Sequence, residues 1–559
     1  MNVRLLLILT LAAGAACSEA PRADLLLTGG VVYTMNPAQP RAEAVAVRDG
    51  AVVWCGTAEE ARRWTGSGTE VMDLGGRTLV PGFIEGHAHL MGVGEFKQRL
   101  DLSRVRSYGE LLDSVAAAAR RLPPGAWILG RGWHQSKWSP APPMVTGYQT
   151  NERLDSVSPA HPVLLEHASG HAVFVNSRAL ELAGVGPDTR WGGDGEIIRH
   201  PDGRPTGILT EAAARLVERQ VPPPDAAALR ATLDAALAEC LRNGITAFHD
   251  AGAGQATLDL YAQYAAENRL PIRLYAMLDG SDSLLLERWY QRGPLTGPYL
   301  TVRAIKLYSD GALGSRGAWL LTDYHDRPGH QGNPILSPAR ILRTAREGLQ
   351  HGFQVCTHAI GDRANREVLD QYEAAFAEFP DRARHARFRI EHAQHIDPQD
   401  IPRFAALGVI PAMQAIHLSS DRPWAIDRLG QTRIDSGAYR WQTLLRSGAR
   451  IVNGTDAPVE PLSPIACFYA SVTRKTLAGE PPAGYEPAEC MTREQALRSY
   501  TADAAYGAFQ EQAQGQIAPG FRADFTLLSQ DLMTVPEDQI LRTRIVATIV
   551  GGVIRYRAE

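Results

Sequence analysis

Val80-Pro81-Gly82-Phe83-Ile84-Glu85-Gly86-His87-Ala88-His89-Leu90 is the stretch on which the fold turns. Its apolar start reads as a short buried strand, and its end carries two histidines two residues apart. Residues at that spacing on a strand point to the same side, so both imidazoles can reach one ion. Imidazole suits zinc, nickel, iron or manganese, and two of them make half of a coordination shell. A His-x-His pair alone recurs by chance. Following Val-Pro-Gly-Phe at a strand end, it gains weight as the opening of a larger unit.

Toward the C-terminus the pattern repeats as strand then helix. Candidate strands end at FIEGHAHL, GITAFHDAG, PIRLYAML, VRAIKLYSDG, FQVCTHAIGD, FRIEHAQH, GVIPAMQ and ARIVNGTDAP, with helical stretches such as DAAALRATLDAALAECLRN and ARILRTAREGLQHG between most of them. Eight such units close naturally into an α/β fold, a TIM-type (β/α)8 barrel whose active site lies at the C-terminal ends of the strands. Further metal-ligating candidates fall at those ends: His358 on strand five, His392 on strand six and Asp456 on strand eight. Any one of them alone reads as an ordinary core or loop residue. Four histidines and an aspartate at one end of one barrel read as a metal site.

Lys306 lies on the fourth strand, on the face expected to hold Val302 and Ala304, small residues suited to a barrel interior. A buried, unpartnered ammonium is costly. Two readings stand: a lysine that reaches solvent or a carboxylate, or a neutral amine that has added carbon dioxide to become an anionic, bidentate carbamate able to bridge two cations.

The chain has 559 residues, 45% of them hydrophobic, and a formal net charge of -4. It can bury a large core with one or two smaller domains beside the barrel. Charges of both signs are interspersed without a basic stripe, which argues against nucleic acid as a partner and leaves a small-molecule substrate, with a homodimer allowed. Short strands punctuated by Gly pairs and Asp-Gly fill both ends, so the termini are expected to build one composite β-sandwich. The expected organisation is 23–80 and 506–559 as the two parts of that sandwich, 81–91 as the first barrel strand, 92–224 as an inserted lobe over the mouth, and 225–505 as the rest of the barrel. WILGRGW and PVLLEHASGHAVFV are the strand-like segments of the lobe.

Residues 1–22 read as a leader and tether: a positive start at Met1–Arg4, an apolar run at Leu5–Leu11 too short to span a bilayer, and small residues before Cys17. Export to the periplasm or cell envelope is expected, with a slight preference for a lipid-bearing Cys17 as membrane tether over plain cleavage after Ala13-Gly14-Ala15. Export permits disulfides, but the six cysteines are scattered and suggest no cysteine metal site.

The order of His-x-His, Lys, His, His and Asp on strands one, four, five, six and eight resembles the amidohydrolase superfamily. WILGRGW, KLYSDGALGSRGAWL, HAIGDRAN, RIEHAQ and GTDAPVEPLSP resemble its YtcJ-like branch, which includes N-substituted formamide deformylase; the likeness runs from Asp24 to Arg557. The resemblance implies a metallohydrolase acting on carbon–nitrogen bonds. It implies one metal on His87, His89 and Asp456, a second on His358 and His392, and N6-carboxylated Lys306 between them. Two divalent ions are expected, zinc first, with manganese, iron or nickel as alternatives. Glu85 stands where the branch commonly has aspartate, and Glu166–His171 replaces its frequent Arg-x-Asp-Gly-His, keeping only His171.

The expected chemistry is attack of a metal-bridging hydroxide on an amide, formamide or N-acyl carbonyl, with Asp456 as ligand and proton carrier. His171 is a candidate catalytic and substrate-binding residue, and Gln135, Trp138 and Asp310 are further candidate substrate contacts. His249 and Asp250 are expected to act behind the ligands, and His395 and His417 to serve fold or surface. Deamination or cyclic-imide hydrolysis on the same scaffold is an alternative; a non-catalytic envelope metal- or ligand-binding protein is another.

Overall fold

The computed structural model describes residues 22–168, 172–192 and 195–559. The expected leader, with Cys17, and the candidate His171 lie outside the described residues.

Eight parallel strands form the barrel: β1 (Phe83–Ala88), β2 (Ile245–Ala253), β3 (Arg273–Asp279), β4 (Leu300–Tyr308), β5 (Gln354–Ala359), β6 (Arg389–His392), β7 (Ile410–Met413) and β8 (Val452–Asn453). Each pairs with the next in chain order. At the seam between β8 and β1, the backbone N–H of Asp456 donates to the carbonyl of His87 at 2.8 Å. Two glycines permit that approach. A Cβ on Gly86 would lie 2.3 Å from the Asn453 carbonyl oxygen, and one on Gly454 would lie 2.5 Å from the His87 nitrogen.

The helices follow from local sequence signals. Asp225 caps Ala226–Arg242 by accepting from the Ala228 N–H. Ser337 and Pro338 open Pro338–His351, and Gly352, at φ 80°, closes it in the left-handed region that favours glycine. Its buried positions, Ile341, Thr344, Ala345, Gly348 and Leu349, follow the three-and-four spacing of one helical face. Inside the barrel, Ala251, Tyr275, Met277, Ala304 and Cys356 pack with Ala508. The expected common face of Val302, Ala304 and Lys306 is corrected in part. The pairing of β3 with β4 slips one residue between Val302 and Ala304, so Val302 joins the outer core.

Both chain ends build one sheet of eight strands, in which Phe525–Leu528 runs antiparallel to Thr78–Pro81. The sheet curls on itself: edge strand Ala51–Gly56 meets the segment before Phe525, with the Val52 N–H donating to the Phe521 carbonyl at 2.8 Å. One apolar core results, including Leu27, Val45, Leu79, Phe525 and Ile549. A buried ion pair joins it to the barrel, with Arg273 donating to both carboxylate oxygens of Asp524 at 2.7 and 2.9 Å.

A six-stranded sheet forms the inserted lobe, from Leu100–Asp101 to Pro205–Thr210. The chain enters it only after helix Leu90–Gln98, later than the expected boundary at Gly92. That helix packs on Ala226–Arg242 so closely that a Cβ on Gly94 would lie 2.0 Å from the Thr232 carbonyl oxygen. WILGRGW supplies strand Ile128–Trp133, and PVLLEHASGHAVFV supplies two antiparallel strands, Val163–His167 and Ala172–Val175. Among the described residues no helix is long and apolar enough to cross a membrane.

Candidate metal centre

His87 and His89 leave the end of β1, His358 the end of β5, His392 the end of β6, and Asp456 the turn after β8. One nitrogen of His87, one of His89 and one carboxylate oxygen of Asp456 all lie within 4.8 Å of each other. Asp456 Oδ1 is 3.5 Å from His87 Nε2 and 3.3 Å from His89 Nε2. The ring centroids of His87 and His392 are 4.9 Å apart, and those of His358 and His392 are 4.4 Å apart. Lys306 Nζ lies 3.4 Å from His87 Nε2. The structure therefore brings together all six residues expected to hold metal.

Backbone conformation and hydrogen bonding aim these groups. His392 and Asp456 have φ of 72° and 57°, a region costly for residues with side chains and typical of functional turns. His87 Nδ1 is held by the Glu391 carboxylate, which Arg389 grips with Nε and Nη2 at 2.7 and 2.8 Å. His392 Nδ1 donates to Gln414 Oε1 at 2.7 Å. Each bond fixes the ring and leaves Nε2 as the free lone pair, as outer hydrogen bonds do for metal-binding histidines.

Several buried atoms here have no hydrogen-bond partner: Asp456 Oδ1, His358 Nε2 and His417 Nε2. Buried polar atoms are normally satisfied, so orphans gathered at one place point to a missing ligand. The donors are imidazole nitrogens and carboxylate oxygens, which fit a divalent cation. Burial, aided by the Lys306 ammonium, lowers His358 to about 3, and burial beside His358 carries His392 well below its ordinary value. Neutral imidazoles are the metal-binding form. Burial also lowers Lys306, against the pull of Glu391 and Asp456. Asp456 is held well below the usual carboxylate range: burial pushes upward, but the imidazoles of His87 and His89 beside it prevail.

Three candidate substrate contacts pack or bond within the protein. Asp310 is fully buried, and its carboxylate accepts from the N–H groups of Trp319, Ile360 and Gly361 at 2.8, 3.0 and 2.8 Å. It pins the turn after β4 to the end of β5, with Oδ1 at 3.5 Å from His358 Nε2, and is a strut for that histidine. Burial raises it to about 7 against those three bonds. Trp138 is buried in the lobe, stacked on Tyr108 at 5.6 Å. Gln135 donates to the Gly147 carbonyl within the lobe at 3.3 Å.

His249 and Asp250 stand behind the ligands as expected. His249 Nδ1 is 3.1 Å from Arg389 Nη1, and Asp250 accepts from the Leu90 N–H at 2.9 Å. Glu85 bonds the Thr455 N–H at 2.7 Å and hydroxyl at 3.0 Å, tying β1 to the Asp456 turn; burial raises it to about 8 against those bonds.

Glu391, Arg389 and Gln414 have no expected role in the sequence. His417, expected to serve fold or surface, is buried on the first turn of helix Ala415–Leu429 and places Nε2 3.7 Å from Asp456 Oδ2. Glu391 and Arg389 carried a usable signal: two charges at strand spacing inside a strand that must be buried on both sides.

A model of the amidohydrolase family matches residues 70–556. YtcJ of Bacillus subtilis is 34% identical, over 94% of this chain and 98% of its own. N-substituted formamide deformylase of Arthrobacter pascens is 29% identical, over 95% of this chain and 98% of its own. Among solved structures, an uncharacterized metal-dependent hydrolase from Pyrococcus furiosus superimposes with a TM-score of 0.75 at 26% identity, covering 91% of this chain and all of that one.

Proposed function

The chain belongs to the amidohydrolase family, and from that premise we propose that it hydrolyses a non-peptide carbon–nitrogen bond, in an amide, formamide or N-acyl compound, at a two-metal centre. The observation that carries this reading is the set of unpartnered donor atoms on Asp456 and His358, gathered with His87, His89 and His392 at the mouth of the barrel. The deformylase activity named for the Arthrobacter pascens relative supports the choice of bond.

His87, His89 and Asp456 would hold one ion, His358 and His392 the other. Carboxylated Lys306 would stand between them: its neutral amine adds carbon dioxide and loses a proton, giving a carbamate with two oxygens. Zinc is the first choice for this nitrogen-rich set. When bound, the ions supply a water acidified toward neutrality and polarise the scissile carbonyl. Asp456 takes the proton of the attacking water and passes it to the leaving nitrogen. His417, beside Asp456 Oδ2, and Asp310, behind His358, hold the two sides of the site in place. The leader read in residues 1–22 adds the proposal that the enzyme works in the cell envelope.

The test is amine release from a panel of N-formyl and N-acetyl amines by the zinc-loaded protein, set against amino-substituted rings and cyclic imides. Turnover of the acylated amines is expected. Turnover confined to the rings or imides would replace this reading.

A further inference from the structure

Lys306 and Tyr308 stand two residues apart at the end of β4, so both side chains leave the strand on the same side, toward the mouth. The Tyr308 ring lies over the Lys306 amine, with Nζ 4.6 Å from its centroid, and tilts against the His358 ring at 5.7 Å. It therefore packs on two of the six residues assigned to metal. The side chain is half-buried, and its hydroxyl bonds to none of the described residues. Beside that hydroxyl is Gly252, exposed and without a side chain to cover it. A Cβ there would lie 3.6 Å from the Tyr308 oxygen and 3.8 Å from Lys306 Cγ.

The phenol stands on a rigid base. Tyr308 pairs with His358 across β4 and β5, and the next N–H, of Ser309, donates to the His358 carbonyl at 2.9 Å. On the β3 side the Gly280 N–H donates to the Lys306 carbonyl at 2.9 Å. Asp310 then locks the following turn through its three backbone bonds. Nearby tyrosines spend their hydroxyls inside the protein, Tyr261 on Asp250 at 2.8 Å and Tyr275 on Gln354 at 3.0 Å. The Tyr308 hydroxyl is left over, fixed at its root and open at its tip.

A phenol offers one O–H to give. When water adds to an amide, the carbonyl oxygen gains a negative charge. A donor already aimed at that oxygen strengthens its bond as the charge develops and has no reorganisation to undergo.

We infer that Tyr308 is a catalytic residue whose hydroxyl donates to the carbonyl oxygen of the scissile bond. It forms no covalent bond and keeps its proton through the turnover. The identity of that oxygen rests on the hydrolase reading above; the presence of a donor at the mouth does not.

The kinetic arm compares wild type with Tyr308→Phe, both zinc-loaded, on the acylated amine that the wild type turns over fastest. A fall in kcat of about 10²–10³-fold is expected, with KM changed by less than about threefold. The binding arm titrates methylphosphonate, a tetrahedral anion with the shape of hydrated acetate, calorimetrically into both proteins. Binding about 10–100-fold weaker in the variant is expected, with zinc per chain and Tm unchanged. A kcat within about threefold of wild type overturns the inference. So does equal methylphosphonate affinity, or binding to neither protein. A variant that loses zinc or melts earlier overturns it too, because the ring then serves only to hold the ligands. If no acylated amine is turned over while methylphosphonate binding still depends on the hydroxyl, the hydrolase reading fails and the donor stands.

Discussion

Two buried polar regions of this molecule differ in one respect, and the difference separates fold from function. At the joint between the barrel and the composite sheet, Arg273 spends its donors on both oxygens of Asp524 and on the Pro298 carbonyl, and Asp524 also accepts from the Gly551 N–H at 2.8 Å. At the barrel mouth, Asp456 and His417 are as well hidden from water and His358 nearly so, but all three leave polar atoms unpaired. The joint is complete with protein atoms alone. The mouth needs something the chain does not supply.

Breaking each region should therefore have opposite consequences. Asp456→Asn keeps the shape and removes the proton acceptor. Turnover should fall by about 10³-fold or more, with bound metal largely retained by elemental analysis and melting hardly changed. Asp524→Ala should do the reverse. It strands a buried guanidinium, costing about 3–5 kcal/mol in denaturant unfolding, while kcat per folded molecule stays at the wild-type level. Chelation should reach only the mouth. At an ion concentration of 100 Kd the bound state gains about 2.7 kcal/mol per site, seen as a fall in Tm on chelation and its return on adding zinc. That shift should be the same in wild type and Asp524→Ala, because distant independent sites add. The smallest effect sharpens the comparison within the mouth. Gln414→Met removes the acceptor that orients His392, and affinity for one of two ions should weaken by about 10–100-fold in a competitive zinc titration.

The candidate ligands are legible because strand periodicity and strand ends are written into short words: HAH, THA, IEH, GTD. His417 is not, because it stands on a helix whose residues, Ala415-Ile416-His417-Leu418, look like ordinary core packing. Only the bend from β7 into that helix brings it to Asp456. Asp310 reads as a substrate contact from its place after β4, but the N–H of Trp319 in the following loop and those of Ile360 and Gly361, some fifty residues on, converge on it. Trp138 and Gln135 read as substrate contacts in the sequence. The stacking of Trp138 on Tyr108 and the Gln135–Gly147 bond turn them into the lobe. The one-residue slip in β4 has no composition signal either, since Val302 suits an inner or outer core equally well.

The central claim is that the two halves of the mouth, His87/His89/Asp456 and His358/His392, each hold an ion. Zinc bound per chain, measured after equilibration and desalting, tests it in wild type and in His358→Ala/His392→Ala. Two ions in the wild type and one in the variant are predicted; a single ion in the wild type that the variant retains would contradict the account.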